Sequence, residues 1–168
     1  MASGNSVVHL MRDMPPATSF ATPAVIAGAS TPAERIPCWQ FPDAASAYID
    51  FLCHLKGYAG GGLTVRLVTA AAAASGNYVL QAAIRRINDD AEDLDTTAHT
   101  YDYNTVTIAA PSAVGEVSYD SVTFTDGTDM DSLADNESFI LRIYRDPTHA
   151  SDSLGNTVYL LGFIGYET

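Results

Sequence analysis

Ala47-Tyr48-Ile49-Asp50-Phe51-Leu52-Cys53-His54-Leu55 alternates, placing Ile49, Phe51, Cys53 and Leu55 on one face. A period of two is the mark of a half-buried β-strand. Gly60-Gly61-Gly62 then punctuates the chain. In Leu63-Thr64-Val65-Arg66-Leu67-Val68-Thr69, Leu63, Val65 and Leu67 point one way and Thr64 and Arg66 the other. Ser75-Gly76-Asn77 makes a turn into a long strand over residues 78–87, which closes at the acidic loop 88–95.

Further strands are predicted over 103–109, 117–124, 138–145 and 157–167, with Asp126-Gly127 as a turn signal between them. The last is apolar on both faces, which places it in a buried or central position. The alanine run at 70–74 is shorter than two helical turns and abuts Ser-Gly-Asn, so it reads as a strand end or loop. Many short strands without βαβ alternation mean a sandwich or barrel. The fold class is therefore all-β, an antiparallel jelly-roll sandwich of about eight strands. No internal repeat of the propeller or solenoid kind is present.

Residues 37–168 form this jelly-roll domain, and residues 1–36 read as an extended N-terminal arm. Pro15, Pro16, Pro23, Pro32 and Pro37 rule out a continuous helix there. The arm is too apolar for an indifferent linker, because it carries Val7, Val8, Leu10, Met11, Phe20, Val25 and Ile26. These residues are the predicted partner-binding set, in a strap that becomes ordered on a neighbouring chain.

At 168 residues the chain is one domain with an appendage. Eight Lys plus Arg against twenty Asp plus Glu give a net charge of −12, the wrong sign for binding nucleic acid through phosphates. The same sign disfavours anionic lipid surfaces, and no run is long enough to span a membrane as a helix. The N-terminus is a poor signal peptide, which predicts cytoplasmic synthesis. Lys56 is the only lysine, so the arginines carry most of the positive charge. Arg66, Arg85, Arg86, Arg142 and Arg145 lie inside apolar strands, where arginine is costly unless paired. At least two bidentate pairs are expected, with Asp50 a candidate partner.

Catalytic and metal-binding patterns are weak. No Gly-x-Ser-x-Gly pentapeptide occurs. Cys53 and His54 are consecutive on a strand, so their side chains face opposite ways and cannot form a dyad. Cys38 and Cys53 have no metal-ligand spacing, and His9, His54, His99 and His149 are isolated. The acidic stretches 126–131 and 89–93 offer oxygens in loops but match no EF-hand. Twenty acids make chance carboxylate pairs inevitable, so a glycosidase pair has no sequence support. Trp39, Tyr58, Tyr101 and Tyr103 are aromatics that stack on sugars or, more simply, pack the rim of the sandwich. Neither catalysis nor a cofactor is expected.

Several segments carry a resemblance. They are Gly61-Gly62-Leu63-Thr64-Val65-Arg66-Leu67, Ala74-Ser75-Gly76-Asn77-Tyr78-Val79-Leu80 and Ala83-Ile84-Arg85-Arg86-Ile87. Phe139-Ile140-Leu141-Arg142-Ile143-Tyr144-Arg145-Asp146 and Val158-Tyr159-Leu160-Leu161-Gly162-Phe163-Ile164 join them. Together, over about residues 41–166, they resemble the jelly-roll structural proteins of tailed bacteriophage virions, whose members decorate or cement capsids or form fibre heads. The resemblance implies a non-catalytic protein, usually trimeric. With the arm, it implies a capsid decoration or cement protein that binds the major capsid protein as a homotrimer, on the capsid surface of the virion. The alternative is a small head-fibre, tail-fibre or spike module that binds host surface glycans. Neither station calls for nucleic acid or membrane as a partner.

Overall fold

The computed structural model describes residues 7–14, 18–29, 31, 33–95 and 98–168, and within the first strand the side chains of Val8, Leu10 and Asp13 only. Ten strands follow one another, with turns and loops between them: β1 (Val7–Met14), β2 (Thr22–Ala27), β3 (Arg35–Phe41), β4 (Ala47–Lys56), β5 (Leu63–Ala71), β6 (Asn77–Arg86), β7 (Asn104–Ala109), β8 (Val117–Phe124), β9 (Ser138–Arg145) and β10 (Val158–Glu167). Among the described residues there is no helix.

The pairing is nested. β3 pairs with β10, β4 with β9, β5 with β8 and β6 with β7, all antiparallel. Two further contacts, β10 with β5 and β9 with β6, sew these hairpins into two layers. A long hairpin rolled on itself in this way is a jelly roll. One layer runs β2-β3-β10-β5-β8 and the other β1-β4-β9-β6-β7, and they touch through a single pairing, Val7 with Tyr166. The expected eight-stranded sandwich is therefore present as β3–β10, with β10 central in its layer as its two apolar faces required.

The core lies where the alternation put it. Ile49, Phe51, Cys53 and Leu55 of β4 face Leu63, Val65 and Leu67 of β5 across the sandwich, joined by Leu80, Leu141, Ile143 and Leu160. Inside it Tyr78 satisfies its hydroxyl against Thr69 Oγ1 at 2.8 Å, since a buried hydroxyl without a partner is costly. Gly62 has a φ of +86° at the turn into β5, and a Cβ there would sit 2.5 Å from the Phe124 carbonyl oxygen. A side chain at that position is excluded twice over.

The described strands of the first 36 residues pair within their own chain, unlike a strap lying on another. β1 pairs with β4 from Val7–Lys56 to Met14–Asp50, and β2 pairs with β3 from Thr22–Gln40 to Ala27–Arg35, so each lengthens one layer of its own sandwich. The boundary drawn between 36 and 37 falls inside β3. The prolines explain the difference. Pro23 lies in β2, the last strand of its layer, and Pro37 lies in the half of β3 that β10 does not reach. Proline is tolerated at such sheet edges, where no ladder bond is asked of it.

Candidate docking surface

The outer faces of the two layers are treated differently by the chain. Over the β4-β9-β6 face fold residues 87–95 and 98–103, and their fastening is built from arginines at outward strand positions. Arg142 holds Asp50 through two bonds of 2.7 Å, Nε to Oδ1 and Nη2 to Oδ2. Its guanidinium lies 3.9 Å from the ring centre of Tyr48 and 3.8 Å from that of Tyr101. Tyr101 comes from the covering loop, so the cation joins loop to sheet. Tyr103 stacks on Tyr101 and packs against Tyr144, with ring centres 6.2 and 5.4 Å apart. Beside them Arg85 pairs with Glu92, and His99 lies against both. Burial raises the Glu92 carboxyl, but the Arg85 bond and charge, the Asn88 N–H and His99 outweigh it and leave it below its ordinary range.

The opposite face, on β10-β5-β8, has no such cover over most of its area. Register sets its rows: Gly162, Val68 and Tyr119; Ile164, Arg66 and Ser121; Tyr166, Thr64 and Thr123. Tyr119 and Ile164 are each 57% exposed. Arg66 is exposed as well, with its guanidinium 5.1 Å from the centre of the Tyr119 ring. Arg66 is the one charged residue in those rows, and no Asp or Glu occurs in them. In a chain with twenty acids this is a flat, uncharged field with one cation at its middle. Exposed aromatic and aliphatic side chains beside an arginine, without acids among them, are a composition found at protein-docking sites.

The expected arginine pairs are found in Arg142 with Asp50 and in Arg145 with Asp152, the latter through Nε at 3.1 Å and Nη2 at 3.0 Å. Arg86 pairs with Glu137. The predicted partner-binding residues are scattered by comparison. Val8 is half-buried over Gly165, Leu10, Phe20 and Val25 are exposed, and Ile26 is half-buried. Phe20 forms a bridge with Tyr48 of the same chain. The backbones of Val7 and Met11 lie in β1, while their side chains fall outside the described residues. Of the described side chains, Val8 and Leu10 line one cleft, while Phe20 lies apart from it.

The residues weighed for chemistry are occupied otherwise. Cys53 is in the core, where burial pushes its thiol up to about 12, and His54 points outward with Nδ1 3.3 Å from Ser138 Oγ. In the acidic loops, Asp126 accepts the Tyr58 hydroxyl, Asp129 the Thr125 N–H and Asp131 the Arg86 N–H. Among the described residues no group of three His, Cys, Asp or Glu is disposed to hold a metal ion. Of the four candidate sugar-stacking aromatics, Tyr101 and Tyr103 belong to the loop fastening, Tyr58 to the 58–62 turn, and Trp39 packs at the margin of the core. The aromatics of the bare face, Tyr119 and Tyr166, were not singled out by motif. Their signal was the absence of acids at outward positions of the 117–124 and 157–167 strands.

No family model matches the chain, and no curated protein matches it. Similar solved structures are carbohydrate-binding modules. A family 29 module from Piromyces equi is 10% identical with a TM-score of 0.42, covering 98% of this chain and 92% of that one. A family 61 module in complex with β-1,4-galactotriose is 10% identical at 0.38, covering 94% and 88%. A family 4 module is 14% identical at 0.39, covering 96% and 86%. Identities and TM-scores this low carry no property of those modules over to this chain.

Proposed function

We propose that this protein is a non-catalytic attachment protein of a phage particle, a capsid decoration protein that docks as a homotrimer on the major capsid protein. The observation that carries the docking is the bare β10-β5-β8 face, acid-free on a chain of net charge −12. A flat field of Tyr119, Ile164 and Val68 around Arg66 suits a flat protein surface that offers apolar contact and one carboxylate. The assignment to a particle draws on the resemblance over residues 41–166.

The test is quantitative gel analysis of purified DNA-filled particles of the phage that encodes the chain. The protein is expected in multiples of three per capsid vertex or face, and Arg66→Glu is expected to abolish retention. Particles that lack the protein, or that retain the Arg66→Glu variant as well as the parent, would overturn the reading.

A second reading is favoured by one feature of the same face: Tyr119 and Tyr166 flank hydroxyls of Ser121 and Thr123, a mixture of ring faces and hydrogen-bonding groups that suits a saccharide chain. A glycan array separates the two, because on this reading Tyr119→Ala loses glycan binding while particle retention is kept.

A further inference from the structure

Where β1 and β2 lengthen the two layers, the described residues do not fill the space between the layers. Val8, Leu10 and Asp13 align with Leu55, Cys53 and Phe51, whose side chains point into the core, so β1 turns the same residues inward. Pro23 and Val25 align with Trp39 and Pro37 on the other layer. Inward positions of β4, β5, β6 and β9 are buried, yet Leu10 is 54% and Val25 55% exposed. Between them lies a cleft of about 410 Å³, lined by Leu10, Asp13, Pro23, Trp39, Phe51 and Phe163 among others. That is within the range of apolar ligand pockets, about 300–1,000 Å³.

The floor of the cleft is a sheet edge. β3 pairs with β10 only through Leu160, and β1 pairs with it only at Tyr166 and seats Val8 over Gly165, so residues 161–164 of β10 have neither strand paired beside them. A register shift at Leu161 turns this stretch toward the opening, and Leu161, Gly162 and Phe163 line it. An unpaired edge offers backbone donors and acceptors to an incoming strand. Among the described residues Asp13 is the one carboxylate in the lining, and no base accompanies it.

We propose that this cleft receives an extended segment of a partner protein, which adds as a strand to residues 161–164 of β10. The segment places alternate apolar side chains between the layers, against Leu10, Trp39 and Phe163, and sets a basic side chain against Asp13. Over about four residues, alternation puts two side chains inward. The edge supplies affinity through main-chain bonds, and the cleft supplies selectivity. This surface adjoins the bare face along β10, where Gly162 belongs to both, but it depends on Leu10, Asp13 and Trp39 rather than on Arg66 and Tyr119, so variants at those residues test the two assignments separately.

Trp39 is the only tryptophan, and its emission reports on the cleft. The full chain is titrated with an acetylated heptapeptide alternating valine and threonine and ending in arginine, and with its glutamate-ended twin. A saturable blue shift is expected with the arginine peptide, with the twin about threefold weaker, the worth of one exposed ion pair. Amide resonances of residues 161–164 shift in the same titration. Asp13→Asn makes the two peptides equal. Leu10→Glu removes the response while leaving the urea midpoint unchanged, since Leu10 is already half exposed.

The proposal is overturned by the absence of a saturable response to either peptide, or by a response that survives Leu10→Glu. A shift driven by protein concentration alone would assign the cleft to a second copy of the chain. Tighter binding of laurate than of peptide would assign it to a small apolar molecule. Both outcomes overturn the peptide reading.

Discussion

Arg145 is fully enclosed, and replacing it tests how the connection between β9 and β10 is held. Its guanidinium donates to both oxygens of Asp152, to the Leu154 carbonyl at 2.8 Å, to the Asn156 carbonyl at 2.7 Å and to the Pro42 carbonyl at 3.3 Å. One side chain thus ties the 146–157 connection to the chain entering β4. Arg145→Met keeps apolar volume and removes every donor. The Asp152 carboxylate, itself 1% exposed, then keeps only the Val79 N–H at 3.0 Å. Breaking one side of a buried ion pair costs about 3–5 kcal/mol, a large part of the roughly 5–15 kcal/mol a domain has. At about 2 kcal/mol per molar in urea, the midpoint falls by about 1.5–2.5 M. The double variant Arg145→Met, Asp152→Leu removes the stranded charge and should recover part of that loss. Urea unfolding followed by Trp39 emission reads both. A loss under about 1 kcal/mol for Arg145→Met, or a double variant less stable than the single, would show that the stranded carboxylate is not the source of the cost.

Two further outcomes follow from the same contacts. Glu92 sits below its ordinary value of 4.5, so its contribution is complete above that value and is lost as pH falls through the depressed one. Amide exchange in residues 87–95 should therefore be slow at pH 6 relative to intrinsic rates and rise sharply below about pH 4, while β4 and β9 stay protected. A loop that opens instead as pH is raised from 6 to 8 would contradict the Arg85–Glu92 fastening. Gly165→Ala places a Cβ 2.5 Å from Val8 Cγ2, so β1 should lift from the sandwich, with faster exchange at amides 7–14 and a loss of about 1–3 kcal/mol. Unchanged exchange there would mean that Val8 is not seated over this glycine.

Much of the sandwich was legible because alternation and burial coincide. Ile49, Phe51, Cys53 and Leu55 are all in the core, and the two-sided apolar stretch near the end is a central strand. Asp50 was readable as an arginine partner because an acid that interrupts an apolar strand requires one. The first 36 residues were less legible. Proline there signalled extended chain, which β1 and β2 are, but a one-residue-at-a-time reading cannot tell a strand on a neighbour from a strand on the chain's own edge. The pairing of β1 with β4 joins segments some 40 positions apart, and nothing local encodes it. The bare face was hidden for a related reason. Its residues come from β5, β8 and β10, and only the register brings Val68, Tyr119 and Gly162 into one row.

Arg142 and Arg66 show why the two faces differ in what they can do. Each occupies an outward position in the middle of a strand that is otherwise apolar, and each lies over a tyrosine ring. Arg142 has been taken up by the chain itself: a bidentate carboxylate from β4, a second ring from Tyr101 and a side chain left only 17% exposed. Its hydrogen-bonding capacity toward a partner is largely used. Arg66 remains exposed, with Ser121 and Ile164 as its row neighbours. A guanidinium is only weakly hydrated and presents a planar fork, so a carboxylate arriving with an apolar surround meets little resistance at Arg66 and much at Arg142. Of these two arginines, Arg66 on the β10-β5-β8 face is the one left open to a partner's carboxylate. Arg142→Ala should loosen the loop without weakening attachment, whereas Arg66→Glu should weaken attachment without loosening the fold. Reversal of those two effects in a retention assay and a urea titration run side by side would place the docking surface on the other layer.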